Sequence, residues 1–340
     1  MATSTERIER ICASGLGDRA LRLQVLDAIR PVVGFDAYAW LLTDPQTSVG
    51  AAPLADVPCL PELPRLIRLK YLTDVNRWTR LDGAALLHEV TGGELSRSLV
   101  WREMLHAYGV RDVASVAFRD RFGCWGFLDL WRCDATFGAK DAAFLSAVAA
   151  PVTAALRRSQ AAAFTGPAAS QARGPVVLLL SAGLDVLAQT DETERYLREL
   201  VPPAEGHAPV PASAYNVAAQ LLAVEADVDD NPPTARVHLT GGRWLTLRAA
   251  RIGADIAVTI EESSPPERIA LFGRAFGLSA RECELLDQLA TGAATRELAR
   301  RMFLSEHTVH DHLKSIFAKT ATRTRPALLS LALGASRASC

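Results

Sequence analysis

The chain has 340 residues, 49% of them hydrophobic and 22% charged, with a formal net charge of −1; that is enough for two or three domains, each with its own core. It has no run of eighteen apolar residues, so no membrane span is expected. The N-terminal MATSTERIERICASG carries acids and lacks an apolar h-region, which excludes a signal peptide. Six cysteines (Cys12, Cys59, Cys124, Cys133, Cys283, Cys340) form no C-x-x-C pair, and free thiols in a reducing cytoplasm are expected.

From the start, residues 3–13 predict a short helix broken at Gly15 and Gly17, and Asp18 is placed to cap a longer one with Leu21, Val25, Ala28 and Ile29 inward. Phe35 to Leu42 predicts a strand. Prolines at 53, 58, 61 and 64 then predict a long surface loop. Helices are expected near Glu62–Lys70 and from Ser96 to Tyr108. Val113–Phe118 and Cys124–Trp131 predict a hairpin with Gly123 at its turn. A helix from Phe137 to about Ala163 has Phe144, Leu145, Val148, Val152 and Leu156 inward and Pro151 as a kink. By element order this region resembles a GAF-type sensor domain, although nothing in it matches the cyclic-nucleotide pattern of some GAF domains. Five of the six tryptophans lie here. Tyr38, Trp40, Trp78, Trp101 and Trp125 are candidates for lining an apolar pocket for an unknown small-molecule effector, against the alternative that they are core.

Ala161 to Gly174, small-residue and Pro/Gly-containing, predicts a linker. Val176–Leu180 and Asp185–Gln189 predict two strands. Asp191 with Glu194 opens a helix to Leu200, and a loop with Pro202, Pro203, Pro209 and Pro211 leads to a helix from Ser213 to Val224. Strands follow at Ala235–Leu239, Arg243–Arg251 and Asp255–Glu261. Two strands, helices and three antiparallel strands resemble a PAS-type fold. Residues 175–262 contain no cysteine to anchor a flavin, and His207 or His238 would each be a lone haem ligand, so no cofactor is expected.

The C-terminal part carries the clearest signals. Ser279 and Glu282 form an S-x-x-E capping box ahead of the stripe Cys283, Leu285, Leu286, Leu289 and Ala290, and Gly292 ends that helix. Thr295 is placed to cap a second helix with Leu298, Ala299 and Met302 inward, and Ser305 a third with Val309, Leu313, Ile316 and Phe317 on one face. Two short helices joined by about four residues, the second with a polar outer face, predict a helix-turn-helix. His310, Asp311 and Lys314 suit base edges in the major groove. Thr295, Arg296, Ser305, His307, Thr308, Ser315, Lys319, Arg323 and Arg325 suit phosphates. Between Thr295 and Arg325 seven Lys/Arg face three acids, and two of the chain's four lysines, Lys314 and Lys319, lie here. Residues 175–262 hold six basic and thirteen acidic residues, so a basic reader follows an acidic middle.

This stretch resembles the four-helix DNA-binding domain of LuxR-type (NarL/FixJ-like) regulators. Leu278, Ser279, Arg281, Glu282, Glu284, Leu286, Glu297, Leu298, Ala299, Met302, Leu304, Ser305, Thr308, Val309 and His312 match that family's pattern in one register. His310 stands where the family often has Lys, and Thr320-Ala321 where Leu-Gly is common, before the fourth helix that in relatives mediates dimer contact. The expected fold class is α+β multidomain: a GAF-like sensor (1–163), a linker (164–174), a PAS-like domain (175–264) and an all-α LuxR-type helix-turn-helix (265–340).

No G-x-S-x-G, G-x-x-x-x-G-K-[ST] or H-E-x-x-H motif appears, so no enzyme is expected. His307, His310 and His312 lack a further ligand for zinc, and no metal is expected. A milder role for His307 and His310 is protonation below about pH 6.5 that tightens phosphate contacts. The expected protein is a cytoplasmic, sequence-specific regulator with recognition helix 306–318. Its expected partners are double-stranded DNA, a second copy of itself and RNA polymerase, with no membrane. The competing class is a signalling adaptor whose sensors bind a protein and whose helix-turn-helix has weak DNA affinity.

Overall fold

A computed structural model describes residues 3–164, 176–200, 211–239 and 242–334. Most of the linker at 164–174, together with Pro202, Pro203, His207, Pro209 and Cys340, lies outside them. The chain divides into two compact units, one of residues 1–156, 173–237 and 245–261, the other of residues 157–172, 238–244 and 262–340.

In chain order the first part comprises α1 (Ser4–Ala13), α2 (Asp18–Ile29), β1 (Ala37–Thr43), β2 (Gly50–Asp56), α3 (Leu63–Leu72), β3 (Ala84–Leu86), α4 (Leu87–Val90), α5 (Leu99–Glu103), β4 (Asp112–Asp120), β5 (Gly123–Arg132) and α6 (Ala139–Ala162). The middle part comprises β6 (Val176–Leu180), β7 (Val186–Gln189), α7 (Asp191–Leu200), α8 (Ala212–Glu225), β8 (Thr234–Leu239), β9 (Arg243–Ile252) and β10 (Asp255–Glu262). Two five-stranded sheets result, ordered β2-β1-β5-β4-β3 and β7-β6-β10-β9-β8. Counted within its own segment, each sheet has the order 2-1-5-4-3, so the chain repeats one topology.

Several expectations need correcting. The proline-containing stretch after Gly50 is not all loop: Pro53 sits within β2, paired with Leu41. β2 is an edge strand, where a residue without an N–H leaves no ladder bond unmade on the open side. The helix expected over 96–108 is broken into α5 and flanking 3₁₀ turns. Asp18 does not cap α2, since Gly17 is the N-cap and no side chain bonds there. The α6 helix, 24 residues with Pro151 inside, is long and apolar enough to cross a membrane by length and composition, although no unbroken eighteen-residue apolar run occurs. Its alanines carry that signal, while Leu145, Val148, Val152 and Leu156 form a buried stripe on one side.

The hairpin of β4 and β5 forms as expected, closed at Gly123. There φ is +148° and an added Cβ would lie 2.1 Å from the Pro45 carbonyl oxygen, so only glycine fits.

Within the larger unit, α8 joins the middle segment to the first sheet. Every residue from Ala212 to Gln220 is buried, as expected of a helix apolar on nearly all sides. It packs against α3 and β2. Two buried ion pairs reinforce the join. Arg236 Nε donates to Asp44 Oδ2 at 2.6 Å, with 5% and 0% of the two side chains exposed, and the Arg236 backbone N–H reaches the same oxygen at 2.8 Å. Arg77 Nε donates to Asp229 Oδ2 at 2.6 Å and its other nitrogens reach Gln220 and the Tyr71 carbonyl. Charges this deep are costly unless paired, so removing one partner strands the other. Asp44→Ala is therefore expected to lower stability by about 3–5 kcal/mol, and Asp44→Asn by less, as measured by urea unfolding of the full chain.

Candidate nucleic-acid interface and an upstream cavity

The smaller unit contains α9 (Pro265–Ala275), α10 (Ala280–Ala290), α11 (Thr295–Arg301), α12 (Glu306–Thr320) and α13 (Arg325–Leu333). The capping box that opens α10 is present: Glu282 N–H reaches Ser279 Oγ at 3.3 Å, and Ser279 N–H reaches Glu282 Oε2 at 2.6 Å. Ser305 caps α12 by accepting from Thr308 N–H at 3.1 Å. Val309, Leu313 and Ile316 are buried and Phe317 is half-buried, as the period requires.

Glu282 has a second role that the local pattern does not reveal. Its side chain accepts from Ser315 Oγ at 2.5 Å and from Lys319 Nζ at 2.6 Å, and the residue is only 3% exposed. Burial alone would raise its pKa, but the hydrogen bonds from Lys319, Ser315 and Ser279 outweigh that and hold it down at about 2. The stabilisation is thus fully present above the ordinary carboxyl range and is lost only as pH falls through about 2. Ser315 and Lys319, expected on phosphates, also fix α12 against α10 through Glu282.

Thr295 is likewise spent internally. The N-cap of α11 is Ala294, without a side-chain cap, and Thr295 Oγ1 accepts from Arg325 at 2.8 Å, so that pair ties the start of α11 to the start of α13. The outer face of α12 is different: Glu306, His307, His310, Asp311 and Lys314 are all exposed. Asp311 lies between two basic groups, His307 Nε2 at 3.4 Å and Lys314 Nζ at 3.5 Å. His310, Arg296 and Arg323 are exposed and bond to no described side chain. Ser305 and Thr308 share a hydroxyl contact of 2.8 Å at the N-terminus of α12. A row of exposed basic groups beside a capped helix N-terminus is suited to a polyanion.

Arg268 on α9 is buried and donates to the carbonyls of Ala332, Leu331 and Gly242. Burial lowers its pKa to about 10, and the carbonyl end of α13 supplies the compensating negative dipole.

The family model for bacterial regulatory proteins of the luxR family (GerE) matches residues 277–332. Over 55 residues the chain is 44% identical to the probable csgAB operon transcriptional regulatory protein of Salmonella typhimurium and to the CsgBAC operon transcriptional regulatory protein of Escherichia coli, 16% of this chain and 26% of each relative. Residues 277–332 are a LuxR-type helix-turn-helix domain. The chain spans about a quarter of the length of these curated relatives. Among solved structures, Escherichia coli SdiA is 13% identical with a TM-score of 0.33, covering 97% of this chain and 95% of that one. SdiA in complex with octanoyl-rac-glycerol is 15% identical with a TM-score of 0.26, covering 98% and 89%.

The C-cap of α12 is Ala321. It sits at φ +52°, in the left-handed region where a Cβ is strained. Ala321→Gly is expected to stabilise the domain by about 1 kcal/mol, read as a raised unfolding midpoint; a lowered midpoint would contradict the strain.

The larger unit holds a mostly apolar cavity that offers about 70 Å³ to the centres of water-sized spheres. None of Tyr38, Trp40, Trp78, Trp101 and Trp125 lines it. Trp40 stacks on Phe118 and Trp78 on Phe127, while the Trp101 and Trp125 indoles donate to Val110 O and to Asp120. Tyr38 packs edge-on to Phe35. These aromatics are framework. The cavity's polar groups are Lys70, Asp129, Ser115, Tyr71, Asn76, Ser98 and Asn216. Two signals were available in the sequence: Lys70 is one of only four lysines, and Asn216 is an amide in an alanine-rich helix.

Proposed function

We propose that the chain is a sequence-specific DNA-binding transcription regulator whose α12 enters the major groove. The observation that carries this reading is the division of labour on α12. Its inner face and its C-terminal Ser315 and Lys319 are committed to α10, which leaves His310, Asp311 and Lys314 presented together on a rigid helix. In this reading those three contact base edges, and Arg296, Ser305, His307, Thr308 and Arg323 contact phosphates. Thr295, Ser315, Lys319 and Arg325 contribute indirectly, by holding α11, α12 and α13 in place. The protein acts as a homodimer with two α12 helices meeting half-sites about one helical turn apart, and RNA polymerase is the partner downstream of binding.

The upstream unit is the input. A GAF-like module (1–163) and a PAS-like module (175–264), separated by a linker (164–174), precede the reader (265–340) in this scheme. The repeated 2-1-5-4-3 strand order supports that reading, as does the cavity, which suits a small-molecule effector. The adaptor alternative has no comparable support, because an adaptor does not need a cluster of exposed basic groups around a capped helix start.

On the protein's selected operator, Lys314→Ala is expected to cost about 1–3 kcal/mol and relax specificity at one base position. A uniform loss across all sequences, with a shallower salt slope, would place Lys314 on a phosphate instead.

A further inference from the structure

The cavity in the larger unit is walled by strands of the first sheet, by α3 and, on one side, by Ala212 and Asn216 of α8. Its charged groups are already matched. Lys70 Nζ lies 2.7 Å from Asp129 Oδ2, and Ser115 Oγ donates to Asp129 Oδ1 at 2.7 Å. The Tyr71 hydroxyl accepts from Gly50 N–H at 2.8 Å. A charged guest would find no free counter-charge here.

Two amide groups are not matched. Asn216 is fully buried; its Nδ2 donates to Ala212 O at 2.8 Å, which fixes which end is oxygen, and Oδ1 has no partner. Asn76 Nδ2 is also buried without a partner, and its backbone stands in the left-handed region at φ +51°. A buried acceptor and a buried donor left unpaired each cost stability, and strained backbone collects at ligand sites. Gly50 makes the close approach of α8 feasible, because a Cβ there would sit 2.8 Å from Asn216 Oδ1 and 2.7 Å from Leu41 Cδ2.

We propose that this cavity is an effector site for an uncharged, largely apolar molecule that donates a hydrogen bond to Asn216 Oδ1 and accepts one from Asn76 Nδ2. The site is composite: α8, from the middle segment, supplies the acceptor, so the two sheet segments form one receptor rather than two. This inference rests on the reading of the upstream unit as the input. It adds the chemistry of the ligand and the residues that select it.

The test uses the full chain without DNA and three probes of matched length: nonan-1-ol, 1-methoxyoctane and nonanoate. Calorimetric titration is expected to show nonan-1-ol binding about tenfold or more tighter than the methyl ether, which lacks the donor, and tighter than the charged nonanoate. Asn216→Leu is expected to bind the alcohol and the ether alike. The alcohol–ether comparison on the unaltered protein needs no variant, so a misfolded Asn216→Leu leaves the test intact. Equal binding of alcohol and ether, preference for nonanoate, or binding of none of the three overturns the site. Binding of the alcohol as predicted, with operator affinity unchanged by every uncharged donor-bearing ligand tried, overturns the input reading alone.

Discussion

The geometry of the reader depends on one buried carboxylate. Glu282 closes the capping box of α10 with one part of its hydrogen-bonding capacity and holds Ser315 and Lys319 of α12 with the rest. A carboxylate so deep would be protonated or expelled were it not surrounded by donors, and the three-way engagement is what keeps it ionised. The angle and register of α12 against α10 follow from that anchor. The outward presentation of His310, Asp311 and Lys314 follows from the register, since residues on one helix face move together. Arg268 and the Thr295–Arg325 bond do similar work at α13.

The upstream unit is governed by the same economy of buried polar groups, but with a different result. The Asp44–Arg236 and Arg77–Asp229 pairs are fully engaged and lock the middle segment to the first sheet. Beside them α8 brings an amide whose oxygen remains unpaired in an apolar cavity. Satisfied pairs give rigidity, whereas an unsatisfied group at a cavity wall gives a place for a ligand to gain binding energy that water competes for poorly.

The helix-turn-helix was legible in the sequence because its determinants are local. Capping residues three apart and apolar positions at helical spacing fix Ser279, Ser305 and the inner face of α12 without knowledge of the rest of the chain. What the sequence did not reveal was long-range. Ser315 and Lys319 lie on a plausible outer flank by period alone, and only the fold brings Glu282, more than thirty residues earlier, under them. Thr295 had the right chemistry for a cap, but Ala294 took the position and Arg325 took its hydroxyl. Upstream, β1, β4, β5 and the five strands of the middle segment were readable from apolar runs and turn glycines, whereas β2 and β3 were not. Pro53 misled because a strand's edge position is a property of the sheet, not of the residue. The five aromatics singled out in the sequence pack elsewhere, and the aromatics that do line the cavity are Tyr71, Phe127 and Trp131, beside aliphatic side chains and two amides. The helix at α8 was expected, whereas its burial and its partners appear only in the fold.

The most direct measurement is enrichment of genomic DNA fragments by the full-length protein across a salt series. A DNA-reading α12 in a dimer should recover an inverted-repeat site with half-sites about one helical turn apart, and log affinity should fall steeply and linearly with log salt. Recovery of no preferred sequence, or affinity indifferent to salt, would contradict a reader built on this face.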